Sequence, residues 1–197
     1  MKPYFLTHPI GILYLVVVLG WYLMEFVQFA RQAQWRPDDA PVGPRSFWLA
    51  YAACIAAAFA VLGTAPHVAP GAEIGHGGTV FVIGMVILVA GIALRVWSFL
   101  ALGRYFTFTV KVSRDQPVVT RGPYHVLRHP GYAGGLLAIV GIGLLNGNWI
   151  SMATVTLLWL VLTLWRIRIE ENALMTALDG RYRAYAAQHK RLVPLVW

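Results

Sequence analysis

Charge is scarce in this sequence. Only 12% of its 197 residues are Asp, Glu, Lys or Arg, while 58% are hydrophobic; a soluble domain carries about a quarter charged residues. With a mean hydropathy of +0.62, lipid rather than water is the expected main solvent, and the length suits one compact domain. Cysteine is nearly absent. Cys54 stands alone in an apolar run, which excludes an internal disulfide; with no Cys or His nearby it makes no metal site, so a packed core thiol is its expected role. Six histidines are too few for a histidine-box iron oxidase. No Gly-x-Ser-x-Gly elbow occurs. The glycines of 71–78 join no strand to a helix, so they are not a dinucleotide fingerprint. The sequence shows no internal repeat and no low-complexity tract. No cleavable signal peptide is expected, because the first apolar run is too long for one and no small-residue cleavage site follows. The net charge of +8 falls between apolar runs and forms no clustered basic face, so nucleic acid is not an expected partner.

What is present is a set of long apolar runs. A hydrocarbon core of about 30 Å needs about 20 apolar residues per helix, and five stretches qualify: 10–30, 46–66, 79–102, 131–146 and 149–169. Only Asn146-Gly147-Asn148 joins the last two, which therefore read as an antiparallel hairpin with both outer ends on one side. All basic residues except Lys2 and Arg95 fall in 31–45, 103–129 and the tail from Arg166, and the positive-inside rule makes these segments cytoplasmic. The expected fold is all-α and polytopic. It has five transmembrane helices, the N-terminus outside, the C-terminus cytoplasmic, and a short amphipathic helix over 181–190 with Tyr182, Tyr185 and Ala186 at helical spacing. Residues 1–197 form one membrane domain, with two N-terminal spans in 1–78 and a core in 79–197. Glu25 and Arg95 lie within spans, where an unpaired charge is expensive; they pair, line a wet cavity or snorkel to the interface.

Two short segments carry chemistry. In the first, 118–132, Pro130 suits the first helical position and His129 flanks the helix start. The N–H groups of Gly131, Tyr132 and Ala133, at the positive end of the helix dipole, make an anion site suited to a carboxylate or phosphate. His125 and His129 have metal-pair spacing, but the residue before proline avoids the α region and no third ligand is near, so no metal is expected. The second is Arg166-Ile167-Arg168-Ile169-Glu170-Glu171. A helix ending there would favour cations over two carboxylates. Either the helix runs on, with Asp179-Gly180 breaking it later, or a cationic or hydroxyl-rich ligand binds the pair. An Arg166–Glu170 pair one turn apart is the plain structural alternative. The hairpin lets the Pro130 helix start face Glu170-Glu171, an arrangement suited to a zwitterion with ribose hydroxyls.

At these residues the sequence resembles the isoprenylcysteine carboxyl methyltransferase and phospholipid methyltransferase superfamily. The resemblance covers roughly half the chain, through 102–107 (Leu-Gly-Arg-Tyr-Phe-Thr), 120–124 (Thr-Arg-Gly-Pro-Tyr), 128–132 (Arg-His-Pro-Gly-Tyr), Glu170-Glu171, 180–185 (Gly-Arg-Tyr-Arg-Ala-Tyr) and 192–194 (Leu-Val-Pro). It implies S-adenosylmethionine as donor and S-adenosylhomocysteine as product, bound outside any Rossmann fold by Val118, Val119, Gly122, Tyr124, His129, Pro130, Tyr132 and Glu171. On this reading His129 and the helix start take the methionyl carboxylate, and Glu171 takes a hydroxyl or the amino group. Tyr124 and Tyr132 wall the adenine or the sulfonium. Arg166, Arg168 and Glu170 are the implied catalytic residues. The eukaryotic prenylcysteine enzymes have an Arg that contacts substrate four residues before the second Glu; here Ile167 stands there, which leaves the acceptor open.

The implied partners are the bilayer and a lipophilic or lipidated acceptor bearing a carboxylate, an amine or a thiol. The expected location is a prokaryotic inner (plasma) membrane, with the site facing the cytoplasm. An NADPH-dependent sterol-type reductase is the alternative enzyme, but the Glu pair and 179–182 fit the methyltransferases better. A non-catalytic scaffold or transporter would need no cluster of polar residues at one face.

Overall fold

The computed structural model describes residues 9–32, 45–75, 78–106 and 116–193. Arg36, Asp38, Asp39, Lys111, Arg114 and Pro194 lie outside these. Among these residues six α-helices follow in order: α1 (Gly11–Gln32), α2 (Arg45–Val68), α3 (Gly78–Leu102), α4 (Pro130–Leu145), α5 (Trp149–Leu178) and α6 (Gly180–Gln188). No strand forms among the described residues beyond isolated bridges at Glu73–Asn148 and Leu127–Lys190.

The five apolar stretches are therefore helices where the hydropathy places them, but they differ in reach. Gly11–Gln28, Gly78–Tyr105 and Trp149–Leu178 are long and apolar enough to cross a membrane, while Ala52–Val68 and Pro130–Leu145 are shorter. At 1.5 Å per residue α4 extends only about 24 Å and α5 about 45 Å. Against a core of about 30 Å, α5 has a turn or more to spare. It continues past the Glu pair to Leu178, and the break falls at Asp179, whose φ is 40°. Of the two readings of that pair, the continuing helix is the one the structure adopts. Ile12, Leu13, Val16, Leu19, Leu23 and Phe26 leave an apolar outer face on α1, as a lipid-facing helix does.

The short helix α4 is held by close contact with α3. A Cβ on Gly134 would lie 2.6 Å from the Gly91 carbonyl oxygen, and one on Gly141 2.6 Å from the Leu88 nitrogen. Small residues at such spacing let apolar helices approach backbone to backbone, where dispersion contacts supply the attraction that lipid does not. Trp21, Phe81, Met85, Leu88, Ala138, Ile142 and Leu145 form the core between α1, α3 and α4. The α4–α5 hairpin turns at Gly147 (φ 70°). Asn148 caps α5 by accepting from the Ser151 N–H at 3.0 Å, and its Nδ2 donates to the Ala69 carbonyl at 3.0 Å. The far end of the bundle is thus tied to α2, and the near end is left to build a site.

Candidate functional site

Three polar groups gather where α3 ends, α4 begins and α5 projects. The first centres on Glu171. Arg128 Nη1 donates to its Oε1 at 2.6 Å, His129 Nε2 lies 3.2 Å from the same oxygen, and Arg191 Nε donates to Oε2 at 2.9 Å. The tail that brings Arg191 is pinned by two backbone bonds, from Arg128 N to the Lys190 carbonyl (2.8 Å) and from His129 N to the Arg191 carbonyl (3.0 Å). Buried Leu192 anchors it beside Leu127, Ala133 and Ile167.

The second group centres on Tyr132. Arg166 Nε donates to the Tyr132 hydroxyl at 2.6 Å, and that hydroxyl donates to Glu170 Oε2 at 2.8 Å. The phenol thus bridges the residues that the sequence offered as a direct pair one turn apart. Tyr124 lies close by; burial pushes its phenol well above the ordinary range, and the Glu170 carboxylate adds to the rise. The Tyr185 hydroxyl donates to the Tyr124 carbonyl at 2.7 Å and holds this loop on α6.

The third joins the two intramembrane charges. Arg95 grips Glu25 through both Nε and Nη2, the latter at 2.9 Å from Oε2, and its Nη1 donates to the Gly131 carbonyl at 2.9 Å. Trp21 Nε1 donates to Glu25 Oε1 at 3.0 Å. Of the roles open to these charges, pairing and lining a cavity both hold.

One cavity of about 640 Å³ runs along all three groups. Its polar end is lined by Tyr124, Arg128, His129, Tyr132, Arg166 and Glu170, with Val118 and Val119 beside them, and Glu25 and Arg95 lie further in. Beyond them it becomes apolar, walled by Leu62, Ile139, Ile142, Leu158 and Trp159. Among the described residues no three of His, Cys, Asp and Glu gather as a metal site.

Several expectations change here. The anion cradle at the start of α4 is partly closed, since the N–H groups of Tyr132 and Ala133 both turn back to the His129 carbonyl, at 3.1 and 3.2 Å. His129 and Glu171 are in direct contact, which leaves no gap between those two side chains. Glu170, not Glu171, lines the cavity, and Glu171 is buried behind it. Arg168 is exposed and lies off the cavity. Gly122 and Pro130 do not line it either. Gly122 has a φ of 61°, and a Cβ there would stand 3.1 Å from Trp97 Nε1; Pro130 is fully buried and starts α4. Cys54 is half-buried along the cavity wall and is no core thiol. Ile167 is 1% exposed within an apolar cluster, and its neighbour Arg166 faces the cavity instead. No sequence pattern marks Arg191, because its part depends on a tail that folds back. Arg128 lay inside a noted motif, but without a role.

This helical bundle, with a polar site at the helix ends and an apolar cavity continuing from it, shares its fold with a solved intramembrane methyltransferase. The solved structure of the eukaryotic intramembrane Ras methyltransferase ICMT (isoprenylcysteine carboxyl methyltransferase) matches with a TM-score of 0.66 over 91% of this chain and 67% of that one, at 23% identity. The sequence profile for phospholipid methyltransferase matches residues 79–180, and the chain belongs to that family. Protein-S-isoprenylcysteine O-methyltransferase B of Arabidopsis thaliana is 33% identical over 116 residues, 57% of this chain and 58% of that protein. The uncharacterized protein YpbQ of Bacillus subtilis is 36% identical over 92 residues, 47% of this chain and 54% of its own length. The chain thus spans somewhat over half the length of these curated relatives.

Proposed function

We propose that this protein is an integral membrane methyltransferase that moves a methyl group from S-adenosylmethionine to a lipophilic acceptor, an isoprenylcysteine-like carboxylate before any other. The observation that carries the reading is a continuous cavity with a charged, aromatic end and an apolar continuation. A volume of about 640 Å³ lies within the range that holds a small-molecule ligand. The lining residues also fit the donor. Arg128 offers positive charge and His129 a ring nitrogen to a carboxylate, Glu170 offers negative charge to an amino group or sulfonium, and the faces of Tyr124 and Tyr132 suit a cation. Val118 and Val119 supply apolar wall. Gly122 and Pro130 shape the loop and the helix start, and Glu171 holds Arg128 and His129 in place from behind.

When bound, the donor supplies an electrophilic methyl carbon, which bonds to an acceptor lone pair as the carbon–sulfur bond breaks and its electron pair stays on sulfur. The protein's task is alignment and exclusion of water, which give large effective molarity. A carboxylate or thiolate acceptor needs no base, so Arg166 and Glu170 serve to fix Tyr132 and the local charge. Arg168 belongs to the surface. A phospholipid amine or a lipophilic thiol is the alternative acceptor. Five spans, an outside N-terminus, a cytoplasmic site in a prokaryotic inner membrane, and a core in 79–197 behind two N-terminal spans complete the proposal.

Calorimetric titration with S-adenosylhomocysteine and with NADPH tests the donor, and transfer of label from S-adenosylmethionine into a membrane lipid extract tests the acceptor. Binding of the homocysteine compound alone is expected. Binding of NADPH alone would favour a reductase and defeat the proposal.

A further inference from the structure

The Arg95–Glu25 pair needs an explanation that stability does not supply. Burying two charges costs in desolvation about what their attraction returns, so such a pair is weak evidence of stabilisation. Its two members also differ. Arg95 is fixed: its side chain is only 8% exposed, Nη1 is tied to the Gly131 carbonyl, and the guanidinium lies 4.9 Å from the Phe99 ring centroid. Glu25 is the more exposed member at 20%, held besides by the Trp21 indole N–H, on a helix whose other face is apolar and outward. Both line the cavity. Gly131 directly precedes Tyr132, so the guanidinium stands beside the polar end, just before the cavity turns apolar. A guanidinium presents a planar fork matched to two carboxylate oxygens, and Glu25 fills that fork.

We propose that Arg95 is the binding site for an acidic headgroup of the acceptor, and that Glu25 is an intramolecular carboxylate holding the site until the acceptor's own carboxylate displaces it. The inference rests on the function proposed above and names the acceptor class, a lipophilic carboxylate. Its apolar chain takes the part of the cavity lined by Ile139, Ile142, Leu158 and Trp159. Its carboxylate takes the Arg95 fork, one residue from the Tyr132 bridge. Glu25 keeps the guanidinium partnered when no acceptor is present, and it also sets a threshold, since an acceptor without a negative charge gains nothing by displacing it.

The test measures equilibrium binding of N-acetyl-S-farnesylcysteine and of its methyl ester to the full-length protein in phosphatidylcholine nanodiscs, with S-adenosylhomocysteine titrated into the same samples. Glu25→Gln weakens the internal competitor, so the acid should bind about tenfold tighter, one charge-assisted hydrogen bond's worth, while the ester is unchanged. The double variant Glu25→Gln/Arg95→Gln leaves no unpaired buried charge, and its retained binding of the ester reports an intact cavity; in it the preference for acid over ester should vanish. Unchanged acid binding in Glu25→Gln, or an acid preference that survives the double variant, would overturn the inference and leave the pair a tie between helices. Failure of the wild type to bind S-adenosylhomocysteine would sink the methyltransferase reading alone, because the acid–ester comparison needs no donor.

Discussion

His129 Nε2 lies 3.2 Å from Glu171 Oε1, and through that contact the start of α4 is fastened to the projecting part of α5. Arg128 and Arg191 complete the clasp on the same carboxylate. These three side chains share Glu171, and its removal strands the buried Arg128 guanidinium. Glu171→Ala is expected to cost about 3 kcal/mol or more, the loss typical when one partner of a buried ion pair is deleted, and to abolish S-adenosylhomocysteine binding. Glu171→Gln should lose binding with a smaller stability cost. Thermal unfolding and calorimetry on both variants check this; normal binding by Glu171→Ala would place the donor elsewhere. His129→Ala, which removes no charge partner from the arginines, should lose donor binding with the fold retained.

Tyr132→Phe deletes the hydroxyl between Arg166 and Glu170 and keeps the ring. The aromatic wall survives while the bridge is lost, so donor binding should weaken by about tenfold, near the value of one hydrogen bond to a charged group. Titration of S-adenosylhomocysteine against wild type and variant reads the effect. Arg168→Ala provides the contrast, since an exposed side chain away from the cavity should leave that affinity unchanged.

The contact of α3 with α4 admits no side chain at its glycines. Gly134→Val would press a branched side chain against the Gly91 carbonyl and the Arg95 backbone, at a cost of about 3 kcal/mol. Gly20→Ala, which meets open space, should change little. Unfolding in detergent with a graded denaturant separates the two.

Alkaline pH should loosen the anchor formed by α6. Burial, only partly offset by Arg128, holds the Tyr185 phenol above its ordinary value, near 10 in the unfolded chain. A raised folded value means that the native state keeps its proton longer. This contribution is therefore whole below about pH 10 and falls as pH climbs through the window above it. Tyr185→Phe should cost about 1 kcal/mol at neutral pH, through the lost bond to Tyr124, and flatten the alkaline decline. Chemical unfolding measured from pH 8 to 11 shows whether it does.

Much of the fold was legible, because apolar runs of about 20 residues mark helices whatever their neighbours. Which faces meet was not. α3 is apolar all round, so no stripe announces the side that Gly84 and Gly91 turn to α4. The Glu pair shows the limit for the site. Adjacent helical residues point about 100° apart, so only one of the two can face a given cavity, and sequence alone did not say that Glu170 would be the one. Pairing across 70 positions, as between Glu25 and Arg95, is set by packing and leaves no local mark. Ile167, where the eukaryotic relatives are expected to carry an Arg, turns into the apolar cluster, and its neighbour Arg166 takes the cavity side by the same rotation.

The cavity that begins among Arg128, Glu170 and Tyr124 and ends against Leu158 and Trp159 joins a polar environment to an apolar one. On the proposed function, a water-borne donor would take the polar end and an oil-borne acceptor the apolar end, each keeping most of its accustomed surroundings. The two then meet at a boundary fixed by the protein, not at the disordered surface of the bilayer. Neither has to cross a phase to reach the other, so the desolvation that usually opposes such an encounter is confined to the few atoms between Arg95 and Tyr132.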